Sequence, residues 1–344
     1  MKRAIKRHLG AMLLLLTWLH AAEPISSVSS EDIRVARLKG DCAGALSFTF
    51  DDNLRDQDDV AVPLLEKYGI HATFFVIPGR TPETNEEAAK MKVSDWGSIS
   101  WQRLRELAAQ GHEIASHSWT HEPLKICNDE QLEAQVAKAH KCIAEKIGIP
   151  PLSFAAPGNG WDARVRAVAN KYHPVLRDRQ ERFGDWPPTN KGFTAAKANA
   201  LVNHALANGE AMVWMIHAIT NGYNAVASPE VLENHLKFVA SRRDAIWVDT
   251  FANVKRYMME RDAATLTQLI SGDQASFNLA CALDPTQFNY PLTVIIPAEH
   301  AVQVEAKRTD DGVSLPVEIR SDRILVQAAP SAARVVVTWR RDVK

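Results

Sequence analysis

Two adjacent carboxylates, Asp51 and Asp52, close the apolar run Ala45-Leu46-Ser47-Phe48-Thr49-Phe50. Neighbouring side chains on a strand point to opposite faces. Where a strand ends, its backbone can turn and bring both into one cleft. A pair so placed can divide two tasks, one carboxylate holding a metal and the other moving protons. A bare Asp-Asp also begins many ordinary turns, so the pair needs further ligands. In His117-Ser-Trp-Thr-His121 two imidazoles lie four residues apart, close enough to share one cation from a helical turn or a folded loop. Asp52, His117 and His121 together form the donor set of a hydrolytic metal site, three protein ligands with positions left open. His217 ends a second apolar run, Val213-Trp-Met-Ile-His217, and is the candidate general acid. Met215 and Trp214 beside it are candidates to wall a small apolar pocket. Asp56, Asp58 and Asp59 lack the turn glycine and terminal glutamate of a calcium loop, and read as a solvated loop and helix start.

These residues need strand ends to stand on. From about Asp41 to Arg261 the chain alternates strand and helix patterns. Strands are expected at Ala45–Phe50, His71–Ile77, His112–Ser116, Leu152–Ala155, Ala211–Ile216 and Ala245–Val248. Helices are expected at Val60–Tyr68, Trp101–Gln110 behind an N-cap Ser100, Glu130–Ile147 ending at Gly148, Asp162–Lys171 and Pro229–Ser241. Such alternation implies parallel strands with crossover helices. A barrel is expected over an open sheet, because the candidate ligands all fall at C-terminal strand ends. Neither a GxGxxG nor a P-loop pattern occurs. After Arg261 the runs become short and β-rich (Leu292–Pro297, Val302–Lys307, Ser314–Arg320, Ile324–Ala328, Ala333–Trp339), which reads as a small sandwich packed on the barrel.

With 344 residues, 46% hydrophobic and 24% charged, the chain is long enough for one large α/β domain and a smaller one. A formal net charge of −1 gives no basic surplus for nucleic acid or for an acidic polymer held by bulk charge. Residues 1–22 read as a secretory signal peptide, with Lys2, Arg3, Lys6 and Arg7 before a short apolar core and a small-residue end, Ala21-Ala22. An exported protein, periplasmic or secreted, is expected. Removing those four cations takes the formal charge from −1 to −5. Cys42, Cys127, Cys142 and Cys281 read as buried free thiols. One helix through Asp129–Ile147 would hold Cys127 and Cys142 roughly 20 Å apart, too far to bridge.

Thr49-Phe-Asp-Asp52, His117-Ser-Trp-Thr-His121, Phe154-Ala-Ala-Pro-Gly-Asn159, Asp185-Trp186 and Met215-Ile-His217 occur in the order of five known motifs. The set resembles the polysaccharide deacetylases, the NodB-homology family or carbohydrate esterase family four, over about residues 41–260. The resemblance implies a distorted (β/α) barrel and hydrolysis of acetyl groups on a glycan. It makes Asp51 the general base, and Asp52, His117 and His121 the metal ligands. It implies that Asp185 tunes His217, and that Pro157 and Gly158 shape the groove. Ala155 stands where the family's third motif carries an arginine paired to the base. Arg177, in Val175-Leu-Arg177, is the candidate substitute. Arg182 stands where an acidic residue is common in the fourth motif. Trp186, Trp96, Trp101, Trp119, Trp161 and Tyr223 are candidates to stack on a sugar ring.

The expected protein is therefore a signal peptide (1–22), a deacetylase-type barrel (23–265) and a β-rich module (266–344). It is expected to remove N- or O-linked acetyl groups from an acetylated polysaccharide or oligosaccharide, with zinc as the default metal and cobalt, nickel or manganese also suited to the ligands. Two other readings stay open on the sequence: a non-catalytic glycan-binding protein on the same fold, and a metal-dependent amidase acting on small molecules.

Overall fold

The computed structural model describes residues 33–91, 97–184, 192–226 and 228–342. The expected signal peptide, Trp96, Asp185 and Trp186 lie outside the described residues.

In chain order the strands of the first part are β1 (Arg34–Val35), β2 (Gly44–Asp51), β3 (Thr73–Val76), β4 (Glu113–Ser116), β5 (Ser153–Ala155), β6 (Val175–Arg177), β7 (Glu181–Arg182), β8 (Ala211–Ile216) and β9 (Ile246–Val248). The helices are α1 (Val62–Lys67), α2 (Asn85–Lys90), α3 (Trp101–Ala109), α4 (Asp129–Ile147), α5 (Ala163–Ala169), α6 (Ala195–Asn208), α7 (Pro229–Ala240) and α8 (Phe251–Ala263). The parallel sheet runs β6-β5-β4-β3-β2-β8-β7, and β9 pairs with the first half of β2 while β3 pairs with its second half. No pairing joins β6 to β7 among the described residues, so the curled sheet is a distorted, open-sided barrel.

Every residue of β2 is buried, as expected for a parallel strand covered on both faces. One face meets the helices. Inside the curl, Phe75, Ala115, Ala155, Val175, Val213 and Phe251 form a small separate cluster. The helix ends are set by local chemistry. Ser100 accepts from the Arg103 N–H to start α3. Asn128 and Gln131 form a capping box on α4, and Gly148 closes that helix in the left-handed conformation.

Three helices exceed the sequence expectation, α2, α6 and α8. The helix expected from Val60 begins at Arg55, because Gln57–Ala61 forms a π-type turn ahead of α1. After α8 the strands are β10 (Ala264–Ser271), β11 (Gln274–Cys281), β12 (Leu292–Pro297), β13 (Ala301–Arg308), β14 (Val317–Ile319), β15 (Arg323–Ala328) and β16 (Arg334–Arg341). They form two antiparallel sheets, β1-β12-β15-β14 and β10-β11-β16-β13. The region thus takes a strand from the far end of the chain, with Arg34 opposite Ile295. Its core is continuous with the barrel, since Trp247, Val254 and Tyr257 share one cluster with Phe277, Val294 and Val337. All four cysteines are free.

Candidate active site

The turn after β2 makes the site. Asp51 is the last strand residue and is buried. Asp52 has φ +73° and Asn53 φ +57°, so the chain reverses its expected alternation. Both carboxylates therefore face one cleft. Left-handed backbone recurs around it. Of nine non-glycine residues with positive φ among the described residues, six (Asp52, Asn53, Ser118, His121, Asn159 and Asn224) line the cleft or adjoin it. Such strain persists only where surrounding contacts enforce it, and it gathers at functional sites.

His117 follows β4 directly. Its Nδ1 lies 2.8 Å from the Ala155 carbonyl oxygen, which accepts its N–H. That fixes the tautomer and leaves the Nε2 lone pair facing the carboxylates. Nε2 is 3.5 Å from Asp52 Oδ1 and 4.0 Å from Asp51 Oδ2. His121 reaches the same Asp52 oxygen at 3.3 Å from a folded loop rather than a helix, its N–H donating to Ser118 Oγ. The donor atoms of Asp52, His117 and His121 all lie within 4.8 Å of one another. Asp52 Oδ1 is buried and accepts no hydrogen bond. Two imidazole nitrogens and an orphaned carboxylate oxygen, converging from three directions, fit a divalent cation.

Arg177 answers the question Ala155 raised. It stands on β6 opposite Ala155 on β5, so it reaches the expected place from the next strand. Its guanidinium donates to both oxygens of Asp51 at 2.5 Å and to Thr49 Oγ1 at 2.8 Å. Its plane lies over the Phe75 ring, 4.5 Å from the centroid. Burial pushes the Asp51 carboxyl up, but Arg177, with His117 behind it, outweighs burial and holds the group well below the usual carboxylate range. Asp52 goes the other way: burial and the charge of Asp51 push it up to about 6. Burial lowers all three histidines, His117 to about 3.

His217 leaves the end of β8, with Nε2 3.8 Å from Asp52 Oδ2 and its ring edge-on to Tyr223. Met215 lines the cleft, an opening of about 480 Å³, with Gly158, Arg182 and Tyr223. Trp214 does not, correcting the expectation that it walls the pocket. Strand alternation turns it outward, where its Nε1–H donates to His235 Nε2. Pro157 is buried behind the turn that presents Gly158. Of the stacking candidates, Trp101 is core, Trp161 donates to the Arg177 carbonyl, and exposed Tyr223 is the one that lines the cleft.

Sequence reasoning missed Asp56 and Gln57. Asp56 is buried rather than solvated. Its carboxylate accepts from the N–H groups of Ile219, Thr220 and Asn221 and from the Thr220 hydroxyl. Gln57 donates from Nε2 to the carbonyls of both Asp51 and His217, at 2.5 and 3.0 Å. The only signal was their nearness to the Asp pair. Asn159, the end of the third motif, lines the cleft as well, and so do Gln180 and Asn224, which carried no sequence signal.

A family model described as polysaccharide deacetylase matches residues 39–174. This segment belongs to the polysaccharide deacetylase family. The match takes in Asp51, Asp52, His117 and His121, and ends before Arg177 and His217. A gellan lyase from a Bacillus species is 25% identical over 343 residues, covering 89% of this chain and 13% of that protein. A chitooligosaccharide deacetylase from Azorhizobium caulinodans is 27% identical over 168 residues, covering 48% of this chain and 68% of that one. An acetyl xylan esterase of family 4 from Clostridium thermocellum, solved with cobalt, aligns with a TM-score of 0.45 at 21% identity, over 61% of this chain and 89% of that one. The chain thus spans a small part of the gellan lyase and about two thirds of the chitooligosaccharide deacetylase.

Proposed function

We propose that this deacetylase-family protein is a metal-dependent esterase or amidase that removes acetyl groups from an acetylated glycan. One observation carries the reading: a convergent Asp52, His117 and His121 set shares a cleft with an arginine-held Asp51 and with His217. Asp52, His117 and His121 would hold the cation, with zinc the default for two imidazoles and a carboxylate. A divalent cation held there supplies Lewis acidity toward water and toward an acetyl carbonyl.

Asp51 is the base. Arg177 keeps it ionised and fixes both its oxygens, so it takes the proton of an attacking water without reorienting. Arg177 costs Asp51 some basicity and gives a fixed direction in return. His217 is the acid. Burial lowers its pKa, so its protonated form gives up a proton readily to the departing sugar amine or hydroxyl. Met215 supplies an apolar wall for the acetyl methyl. The basic and apolar start of the chain supports export through a signal peptide, and export would put the enzyme where polymeric glycans are.

The test is acetate release from acetylated xylan, chitin oligomers and peptidoglycan, with and without chelator. Chelator-sensitive release restored by zinc or cobalt is expected, as is its loss in Asp51→Asn. Glycan binding with no acetate released from any substrate would replace this reading with that of a binding protein.

A further inference from the structure

We propose that Asn224 reads the sugar beside the acetyl group, by hydrogen bonds to adjacent ring hydroxyls, and that Asp56 is the positioning residue that holds it in the cleft. The inference rests on the deacetylase reading and adds a specificity-determining contact to it. Asn224 lines the cleft together with Asp51, Asp52 and His217, in the loop that follows His217. Both its carboxamide atoms, Oδ1 and Nδ2, are buried, and neither has a hydrogen-bond partner among the described residues. Buried polar atoms are almost always paired, and one side chain with two orphans marks a place where a ligand completes the bonding. A carboxamide offers an acceptor and a donor side by side. Two neighbouring sugar hydroxyls, each able to donate and accept, satisfy both atoms at once.

The loop is built to keep that amide still. Asn224 sits at φ +51°, a conformation that asparagine tolerates better than most residues. The loop closes on itself through Ala218 N–H to Tyr223 O at 3.3 Å and Val226 N–H to Ala218 O at 3.2 Å. Its approach, Ile219 to Asn221, is fastened to the buried Asp56 carboxylate by three backbone N–H groups and the Thr220 hydroxyl. Asp56 lies in the first turn of its helix, four residues beyond Asp52, so the segment that follows the metal-side carboxylate also carries the fastening for the reading loop.

The experiment compares kcat/KM for the acetylated oligosaccharide that wild type hydrolyses fastest, taken from xylan, chitin or peptidoglycan, and for para-nitrophenyl acetate, which has no sugar, in wild type, Asn224→Ala and Asp56→Asn. Both variants are expected to lose discrimination in favour of the oligosaccharide by roughly tenfold or more, chiefly through KM. Cobalt affinity by calorimetry is expected to stay at the wild-type value in both, which also shows that they are folded. Equal loss on the two substrates, or no loss in Asn224→Ala, overturns the inference while leaving the deacetylase reading intact. Wild-type protein that releases no acetate from any of the three glycans or from para-nitrophenyl acetate overturns both.

Discussion

At the scale of single residues, the metal-side ligands were legible, and the cation beside the base only through the gap at Ala155, which pointed to Arg177 as a substitute. Asp52, His117 and His121 announce themselves by type and spacing. Arg177 carries no local signature, because its role depends on a register between β5 and β6 that a linear pattern does not contain. Breaking that pair leaves a buried carboxylate without its counter-charge, a loss of about 3–5 kcal/mol where such pairs are buried. Arg177→Met is therefore expected to lower the melting temperature and to raise the Asp51 pKa, with acetate release falling by roughly a hundredfold or more. Adding Ala155→Arg to that variant is expected to recover part of both losses, read by thermal melts and acetate assay. No recovery would mean that the guanidinium must come from β6. For the metal, zinc is expected to raise the melting temperature of the chelated protein, and Asp52→Asn to abolish that rise. An equal rise in the variant would remove Asp52 from the ligand set.

At the scale of elements, six of the eight strands of the barrel were readable because each is a short apolar run bounded by turn residues; β6 and the charged β7, Glu181–Arg182, were not. The start of the first helix was not. Its π-type turn, Gln57–Ala61, sets the first residues of the helix against the loop after β8, and hydrophobic spacing does not encode that geometry. Nor was α8 expected, since its buried face includes Glu260, whose carboxylate accepts from the Tyr290 N–H. The consequence of the early start is that Gln57 ties the end of β2 to the end of β8 through two carbonyls. Replacing it with leucine strands both acceptors, at a cost of about 1–3 kcal/mol. Gln57→Leu is expected to lower stability by about that much in urea denaturation and to reduce kcat more than KM, because the base and the acid lose their common tie. An unchanged kcat would show that strand pairing alone sets their separation.

At the scale of the whole molecule, the two parts expected from the change in composition after Arg261 share a core. Trp247 and Tyr257 belong to the barrel's end and pack with Phe277, Val294 and Val337 of the sheets. A chain cut after Ala263 would expose that surface, and it is expected to lose the near-ultraviolet dichroism of a fixed core; a sharp thermal transition in the truncated chain would refute this. The composition showed where the pattern changes and could not show that the contact is continuous. Acid stability is also a property of the whole fold. His112, His173 and His235 lie in three separate places, and burial lowers them to about 4, about 3 and about 3. Each stays neutral in the native state, whereas the unfolded chain takes up its protons near pH 6.5. Their contribution is therefore complete above about pH 6.5 and is lost as pH falls toward 4 and below. The denaturation midpoint should drop over that window, and less steeply in His173→Phe. Parallel pH curves for wild type and His173→Phe would show that His173 does not contribute.

The pairing of Ala155 with Arg177 bears on ancestry. If Ala155→Arg recovers what Arg177→Met loses, two neighbouring strands can each deliver a guanidinium to one carboxylate, but not both together. An ancestor with arginine at both places would crowd two cations into one buried site, and an ancestor with neither would leave the Asp51 carboxylate bare. Either halfway form is handicapped, so descent should pass between the two arrangements rarely and leave few hybrids. A relative with alanine at the third motif should then be sought for its arginine one strand over before it is set aside as inactive.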